Sequence, residues 1–428
     1  MKIAIIGSGI SGNVAAHILS KSHSVTVYEK RDRAGGHSAT KDIDYDGKGD
    51  RLSVDTGFIV YNELNYPGLI GLFKELKVDT EASDMSFGFS ANGGAFEWSG
   101  QSFAAVFAQK RNWVNPRFWL MLRDIFKFNK LAAQHHEADD LGDESLGDWL
   151  ARYRLSGIFI NRYLLPMGAA IWSTPADEIL NFPAASFLQF FYNHRLINKD
   201  RPQWRTVTGG SRQYVEKITA GFKSCLRLSA EVTAVKRHAD GVDVTANGET
   251  ETYDHIIMAA HSNQSLAMLT DASPQEQDIL GAVRYLPNDV YLHRDTALMP
   301  KRQSVWSSWN YVSQDINGRD AVMSVSYWMN RLQNIDNAKP IFVTLNPPAP
   351  PAAEKTFGHY SYDHPQFDAA AINAQKRLPD IQGVNRTWFC GAWCSFGFHE
   401  DGLQSALTVC KKIAALPTSD GIEKAAAE

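Results

Sequence analysis

At 428 residues and 44% hydrophobic content, the chain is long enough for roughly two to three domains with sizeable cores. Its 43 lysines and arginines are mixed with 47 aspartates and glutamates for a net charge of −4, so no global field recruits nucleic acid. Four scattered cysteines are too few for a disulfide framework, and no run approaches the roughly 20 apolar residues of a membrane span.

From the start of the chain, residues 3–6 (IAII) read as a buried parallel strand, followed directly by Gly7-x-Gly9-x-x-Gly12. A helical stretch at 14–19 comes next, then a second strand at 25–28 that ends at Glu29. Gly7 permits the tight strand-to-helix turn, Gly9 lets the backbone approach a pyrophosphate, and Gly12 lets the helix pack closely on the sheet. The helix N-terminus offers N–H groups and a positive dipole end to the phosphates. Glu29 lies 22 residues after Gly7, where a carboxylate accepts hydrogen bonds from an adenosine ribose. This order of strand, glycines, helix, strand and acid predicts a dinucleotide-binding unit of Rossmann type in an α/β protein. With four apolar residues before the glycine turn, the start does not read as a signal peptide, and a cytoplasmic location is expected.

The stretch after Glu29 favours FAD over a nicotinamide. Arg33-Ala34-Gly35-Gly36-His37 sets a second glycine pair just past strand two, Asp55-Thr56-Gly57 comes after it, and only one nucleotide fingerprint occurs. Residues 86–204 read as largely helical. Asn115 and Pro116 start a helix with Phe118, Trp119, Leu122, Ile125 and Phe126 towards one side and Arg117, Asp124, Lys127 and Lys130 towards the other. Thr208-Gly209-Gly210-Ser211 precedes another helix, either beside the cofactor or as a capping turn. Strands are expected at 228–236, 241–245, 253–260, 289–292 and 322–327, with 346–351 an extended proline-rich loop. Trp388-Phe389-Cys390-Gly391 reads as a last buried strand, and 396–402 (FGFHEDG) leads into a helix at 403–415. The polar tail after Pro417 is expected to fray.

These segments resemble the flavin-containing amine oxidase superfamily, which includes monoamine oxidases, phytoene desaturases and protoporphyrinogen oxidases. The resemblance covers both ends of the chain, and the strands between 228 and 260 support it. It implies a GR2-like, Rossmann-type FAD-binding domain that is discontinuous, at 1–85, 205–270 and 385–417. Residues 86–204 and 271–384 would then form an inserted, mixed α+β substrate domain, with 418–428 a tail. In the family the N-terminal unit holds the ADP half of FAD, and the glycine pair lies along the ribityl–pyrophosphate. The C-terminal helix points its N-terminus at the flavin pyrimidine ring, where the reduced ring carries negative charge. The resemblance implies cofactor contacts from Gly7, Gly9, Ser11, Gly12, Glu29, Lys30, Gly35, Gly36, His37, Thr56, Gly57, Val232, Gly391, Gly402 and Leu403. A valine in the position of Val232 touches the adenine side. Cys390 and Cys394, spaced i, i+4 rather than as CxxC, read as buried reduced thiols. FAD is therefore expected to be held without a covalent link, a redox pair or flavin linkage being the lesser alternative, and no metal is expected.

The flavin supplies the redox chemistry, so catalytic side chains are few. His399-Glu400-Asp401-Gly402 is the densest polar cluster in an apolar stretch, and His399 and Glu400 are the candidates for moving a proton. Asp401 reads most simply as the N-cap of the last helix. His37, where many family members carry an arginine, faces a phosphate, the flavin or a loop hydrogen bond. Three departures set the chain apart from monoamine oxidases. Gly391-Ala392-Trp393 has tryptophan where those members have an acid; 286–290 (LPNDV) lacks the lysine that usually approaches flavin N5; and no paired aromatic cage can be placed. The closer resemblance is to a bacterial subgroup marked by GFHEDG, by WxxWNY (306–311) and by YWMNRLQ (327–333). Its members are often encoded beside cyclopropane-fatty-acid-synthase-like methyltransferases, and some are implicated in modifying methylated fatty acyl chains. This implies an FAD-dependent oxidoreductase that desaturates a fatty acyl or other apolar lipid chain. The alternatives are FAD-dependent double-bond isomerisation, plain amine oxidation, and a flavin-bound accessory role for a lipid methyltransferase partner. Phe187, Phe190, Phe191, Tyr192, Trp306, Trp309 and Trp328 would line an apolar tunnel or simply fill the core. The basic, aromatic stretch 110–130 either rests on an anionic bilayer at the inner face of the membrane or packs on its own domain.

Overall fold

The computed structural model describes residues 1–138, 142, 144–198, 202–315 and 324–416. The tail expected to fray lies outside these residues, as do the first two positions of the strand expected at 322–327.

A five-stranded parallel sheet is built from both ends and the middle of the chain. Its order is Leu226–Arg227, Ser24–Tyr28, Lys2–Ile6, His255–Met258, Thr387–Phe389. Residues 3–6 are buried on both faces, which is why they read as a continuous apolar run. Alternation decides what each face packs on. Ile3 and Ile5 meet the helices Ile10–Leu19, Arg212–Ala220 and His399–Ala414; Ala4 and Ile6 meet an antiparallel hairpin sheet and the helices Pro274–Gly281 and Ala369–Arg377. That hairpin sheet comprises Val232–His238, Gly241–Ala246 and Glu249–Tyr253.

A second, seven-stranded mixed sheet runs Thr356–Pro365, Tyr285–His293, Phe342–Leu345, Val325–Trp328, Trp309–Ser313, Phe87–Ala91, Phe96–Ser99. One pair, Trp309–Ser313 with Phe87–Ala91, is parallel, so segments more than 200 residues apart share a register. The helices Pro116–Ala138, Leu165–Trp172 and Ala184–Asn193 cover it, burying Phe118, Phe128, Phe187 and Phe191 with Trp149 in one aromatic core. Each such ring contributes roughly 1.5–3 kcal/mol by burial alone.

Several expected boundaries move. The first insert holds two strands as well as helices, joined by a turn at Asn92-Gly93-Gly94 in which all three residues have positive φ. The strand expected at 228–236 is broken by Ser229 at φ 50°, giving Leu226–Arg227 and then Val232–His238. The run at 253–260 splits at Asp254, whose N–H donates to the Lys2 carbonyl while its carboxylate accepts the Lys2 N–H at 2.6 Å. The first helix starts at Ile10 and the last at His399, each earlier than expected. No helix among the described residues is long and apolar enough to cross a membrane.

Candidate active site

A cavity of about 660 Å³ runs from the glycine turns of the parallel sheet to the face of the mixed sheet. Its wall at the sheet end begins at Gly7, where φ is +100° and an added Cβ would sit 2.8 Å from the Ala259 carbonyl oxygen. Only glycine turns the chain there. A Cβ on Gly9 would meet nothing within 4 Å, so this backbone faces open space. The helix Ile10–Leu19 starts on it with no side-chain cap. Gly36 abuts Gly9, its added Cβ falling 3.1 Å from the Gly9 Cα, so the two glycine turns form one backbone wall. Ser8 donates to Glu29 Oε2 through its N–H at 3.0 Å and its hydroxyl at 2.6 Å, and the Arg31 N–H donates to Oε1 at 3.0 Å. A carboxylate has about four acceptor sites, so Glu29 keeps capacity for a further donor from the cavity.

Next to this wall stands a group of imidazoles. His37 lies 5.7 Å from His364 and 6.1 Å from His261, centroid to centroid, and His261 stacks on Tyr285 at 4.5 Å. Burial, then repulsion from His364 and His261, holds His37 far below the ordinary imidazole range. Burial pushes His261 and His364 down to about 4. His37 Nε2 and His261 Nδ1 are buried without a hydrogen-bond partner among the described residues. Orphaned polar atoms on a cavity wall imply a polar ligand there.

Close to His37, His399 opens the last helix. Its ring stacks on Phe58 at 3.7 Å, and its Nε2 is 3.0 Å from the Ser38 hydroxyl and 2.9 Å from that of Tyr214. Burial pushes it down to about 3, so the ring is neutral at pH 7. The apolar lining includes Ile59, Val60, Met85, Ile171, Leu196, Val290, Val343 and Leu345, with Trp309 and Tyr327 meeting edge to face at 5.0 Å, and Ser173 and His194 are polar members of the lining. Of the lining carboxylates, Glu29 and Glu231 belong to the parallel-sheet side, while Asp363, on the mixed-sheet strand Thr356–Pro365, interacts with His261 and His364.

Of the residues expected at the site, Gly7, Gly9, Ser11, Glu29, Lys30, Gly36, His37, Thr56, Gly57, Val232, Gly391 and His399 line this cavity. Five others stand behind the wall. Gly12 serves packing, since its Cβ would fall 1.9 Å from the Gly7 carbonyl oxygen. Gly35 donates its N–H to the Ser8 carbonyl. Gly402 fits the last helix against Ile10 and accepts from the Ser11 hydroxyl at 2.8 Å, and Leu403 is core. Glu400 is corrected most sharply. Its oxygens accept the Gly68 and Leu69 N–H groups at 2.8 and 2.9 Å, so it caps the helix Pro67–Glu75. Asp401 is not the N-cap; it sits in the first turn and accepts the Phe398 N–H at 2.8 Å.

Asp55 is a buried anchor. It accepts from Ser211 N–H and hydroxyl, from Thr40 at 2.6 Å and from Gln333 at 3.0 Å, and burial still pushes it up to about 6. Thr208–Ser211 is thus tied to Asp55. Cys390 and Cys394 do not line the cavity, and burial holds both as thiols, Cys394 up at about 12. Of the seven aromatics expected in a tunnel, Phe190 and Trp309 line the cavity. Phe187 and Phe191 are core, Tyr192 stacks on His136, and Trp306 packs on Trp328. Reading the sequence missed Ser8, His261, His364, Tyr285 and Tyr362, which carry no local motif.

The profile of the family described as flavin containing amine oxidoreductase matches residues 8–334. The chain belongs to that family. FAD is the family's cofactor, and the glycine wall, the uncapped helix, the spare acceptor on Glu29 and the orphaned imidazoles fit a dinucleotide. A curated relative from Mycobacterium tuberculosis (strain H37Rv), designated a flavin-containing monoamine oxidase, AofH, is 26% identical over 266 residues, which is 58% of this chain. The chain spans about half the length of the curated relatives it matches, 54%. Putrescine oxidase bound to putrescine superposes with a TM-score of 0.68 at 18% identity, covering 97% of this chain and 100% of that one. A CLA-producing fatty acid isomerase from P. acnes superposes with a TM-score of 0.68 at 17% identity, covering 96% and 98%. At these identities the likeness is one of fold.

Proposed function

We propose that this protein is an FAD-dependent oxidoreductase that desaturates a fatty acyl or other apolar lipid chain. The observation that carries the reading is the apolar part of the cavity lining, Ile59, Val60, Met85, Ile171, Leu196, Val290, Trp309, Tyr327, Val343 and Leu345, which outnumbers the lining carboxylates Glu29, Glu231 and Asp363. An ammonium ion would exchange its hydration for few polar groups there, whereas an acyl chain gains about 0.8 kcal/mol for each buried CH₂. When bound, FAD would supply the two-electron acceptor, taking a hydride from one carbon and, as it becomes the fully reduced flavin, the proton released from the neighbouring carbon, which leaves a double bond in the chain. The protein's own contribution is to exclude water, hold the chain straight against the Phe58–His399 stack, and keep His399 fixed by the Ser38 and Tyr214 hydroxyls.

Isomerisation of a double bond is the second reading, favoured by the burial of His399, which makes it a weak base. In isomerisation the hydride returns to the chain, so no side chain has to keep a proton. The likeness in fold to a fatty acid isomerase agrees with that reading without deciding it.

The test is anaerobic mixing of the yellow protein with unsaturated and saturated fatty acids and phospholipids, with mass spectrometry of the products. Bleaching with a product two mass units lighter is expected. A product of unchanged mass with no lasting bleaching would select isomerisation. Peroxide formed from simple amines, with no lipid product, would sink both in favour of amine oxidation. Stable binding to a lipid methyltransferase with no flavin reduction by any lipid would leave only the accessory role.

A further inference from the structure

We propose that the outward face of the helix Pro116–Ala138, with the turns just before it, is a docking surface for an anionic lipid bilayer. The inward face of this helix is ordinary: Phe118, Met121 and Phe128 are fully buried in the aromatic core. The outward face is not. Trp119, Arg123, Phe126, Lys127 and Lys130 are exposed along it, and Phe126 stands two turns from Trp119 on the same stripe.

The patch extends into the preceding turns. Val114 is 84% exposed, Phe103 68%, Phe126 68%, Trp113 48% and Trp119 46%. These rings are held, not loose. Trp113 stacks on Phe107 at 4.1 Å and lies 5.5 Å from Phe103, and the Trp119 indole N–H donates to the Trp113 carbonyl at 2.9 Å. Pre-ordered aromatics lose little conformational freedom on docking, which is what a bilayer interface selects.

Charge names the partner. Residues 98–136 carry six exposed cations, Lys110, Arg111, Arg117, Arg123, Lys127 and Lys130, in a chain whose net charge is −4. The single acid of that segment, Asp124, is buried and accepts from Arg123 and the Ser156 N–H. An exposed apolar patch with six cations, and one exposed carboxylate, Glu137, only at the far end of the helix, complements a surface that is negative outside and apolar beneath. A second copy of this chain would bring cations against cations.

The test is co-sedimentation of the FAD-loaded protein with vesicles of phosphatidylglycerol and phosphatidylcholine, beside vesicles of phosphatidylcholine alone. Binding to the anionic vesicles that weakens in high salt is expected. The double variant F103D/V114D should cut the bound fraction about tenfold or more with flavin absorbance and far-ultraviolet dichroism unchanged, because both side chains project into solvent. R117E/K130E should weaken binding to anionic vesicles alone. Protein that stays in the supernatant with both vesicle types overturns the proposal, as does F103D/V114D binding like the parent. A dimer in light scattering that V114D splits, with no vesicle binding, would make the face a self-association surface and overturn it too. This inference does not rest on the acyl-chain reading: vesicle binding and lipid turnover fail separately.

Discussion

The two ends of the cavity are made of different materials. At the glycine turns the wall is largely backbone: Gly7, Gly9 and Gly36 define it, Glu29 holds it from the cavity side through Ser8, and Asn13 braces it from behind. At the mixed sheet the wall is side chains, and the backbone behind them is an ordinary ladder. A backbone wall cannot give way to an added atom at Gly7 or Gly36, because nothing there can rotate away. A side-chain wall can be re-cut residue by residue. The first end therefore suits a ligand that never changes, and the second a ligand whose length and shape vary between relatives.

The sharpest way to break this contrast is one methyl group. Gly12→Ala places a Cβ 1.9 Å from the Gly7 carbonyl oxygen, so the glycine turn must shift and FAD affinity should fall by about a hundredfold or more. Trp309→Ala, at the other end, should leave the purified protein yellow. Absorbance near the flavin bands after gel filtration reads both, and a yellow Gly12→Ala protein would void the distinction.

Second in size is Glu276→Ala, behind the parallel sheet. Glu276 forms a bidentate pair with Arg237 at 2.7 and 2.9 Å, and both are almost wholly buried. Removing one partner should cost about 3–5 kcal/mol in a denaturant titration, with the wavelength of any residual flavin band unmoved.

Acid comes third. Burial holds His194, His261, His293 and His364 down at about 4 and His399 at about 3. A histidine depressed in the fold stabilises fully above its unfolded value of about 6.5, and loses that contribution as pH falls towards its folded value. Asp55 and Asp401, both raised to about 6, act in the opposite sense, but they are two against these five and His37, which burial also holds far down. The urea midpoint should therefore fall between pH 7 and pH 5; a midpoint that rises would show the two carboxylates in control.

The smallest effects separate His399 from its neighbour. Glu400→Gln should lose about 1–3 kcal/mol of stability with flavin reduction unchanged, since Glu400 caps a helix. His399→Ala should keep the flavin and slow its reduction about tenfold, with no ionisation near pH 6.5 appearing or vanishing in the rate profile. Stopped-flow traces of both variants would expose a swapped assignment.

The backbone end was legible because its signal is local. Strand, three glycines, helix and acid fall within 29 residues, and each acts on a near neighbour. The chamber end was not, for reasons of distance. Phe87–Ala91 takes its register from Trp309–Ser313, and Glu400 takes its role from Gly68 and Leu69, 332 and 331 residues away. No spacing rule reaches that far. Asn92-Gly93-Gly94 is different: it carried a turn signal that a helical reading of the first insert passed over. The aromatic runs were ambiguous in themselves, because a ring that fills a core and a ring that lines a chamber look alike in sequence.

The anchor at Asp55 has a consequence for how the molecule opens. One carboxylate is clasped by Thr40, Ser211 and Gln333, three distant stretches of chain, and Thr56 beside it is 2.8 Å from the Tyr362 hydroxyl. Prising the molecule apart along that seam would strand a charge in a dry place. The seam therefore resists opening at this point, and Asp55 serves as its rivet.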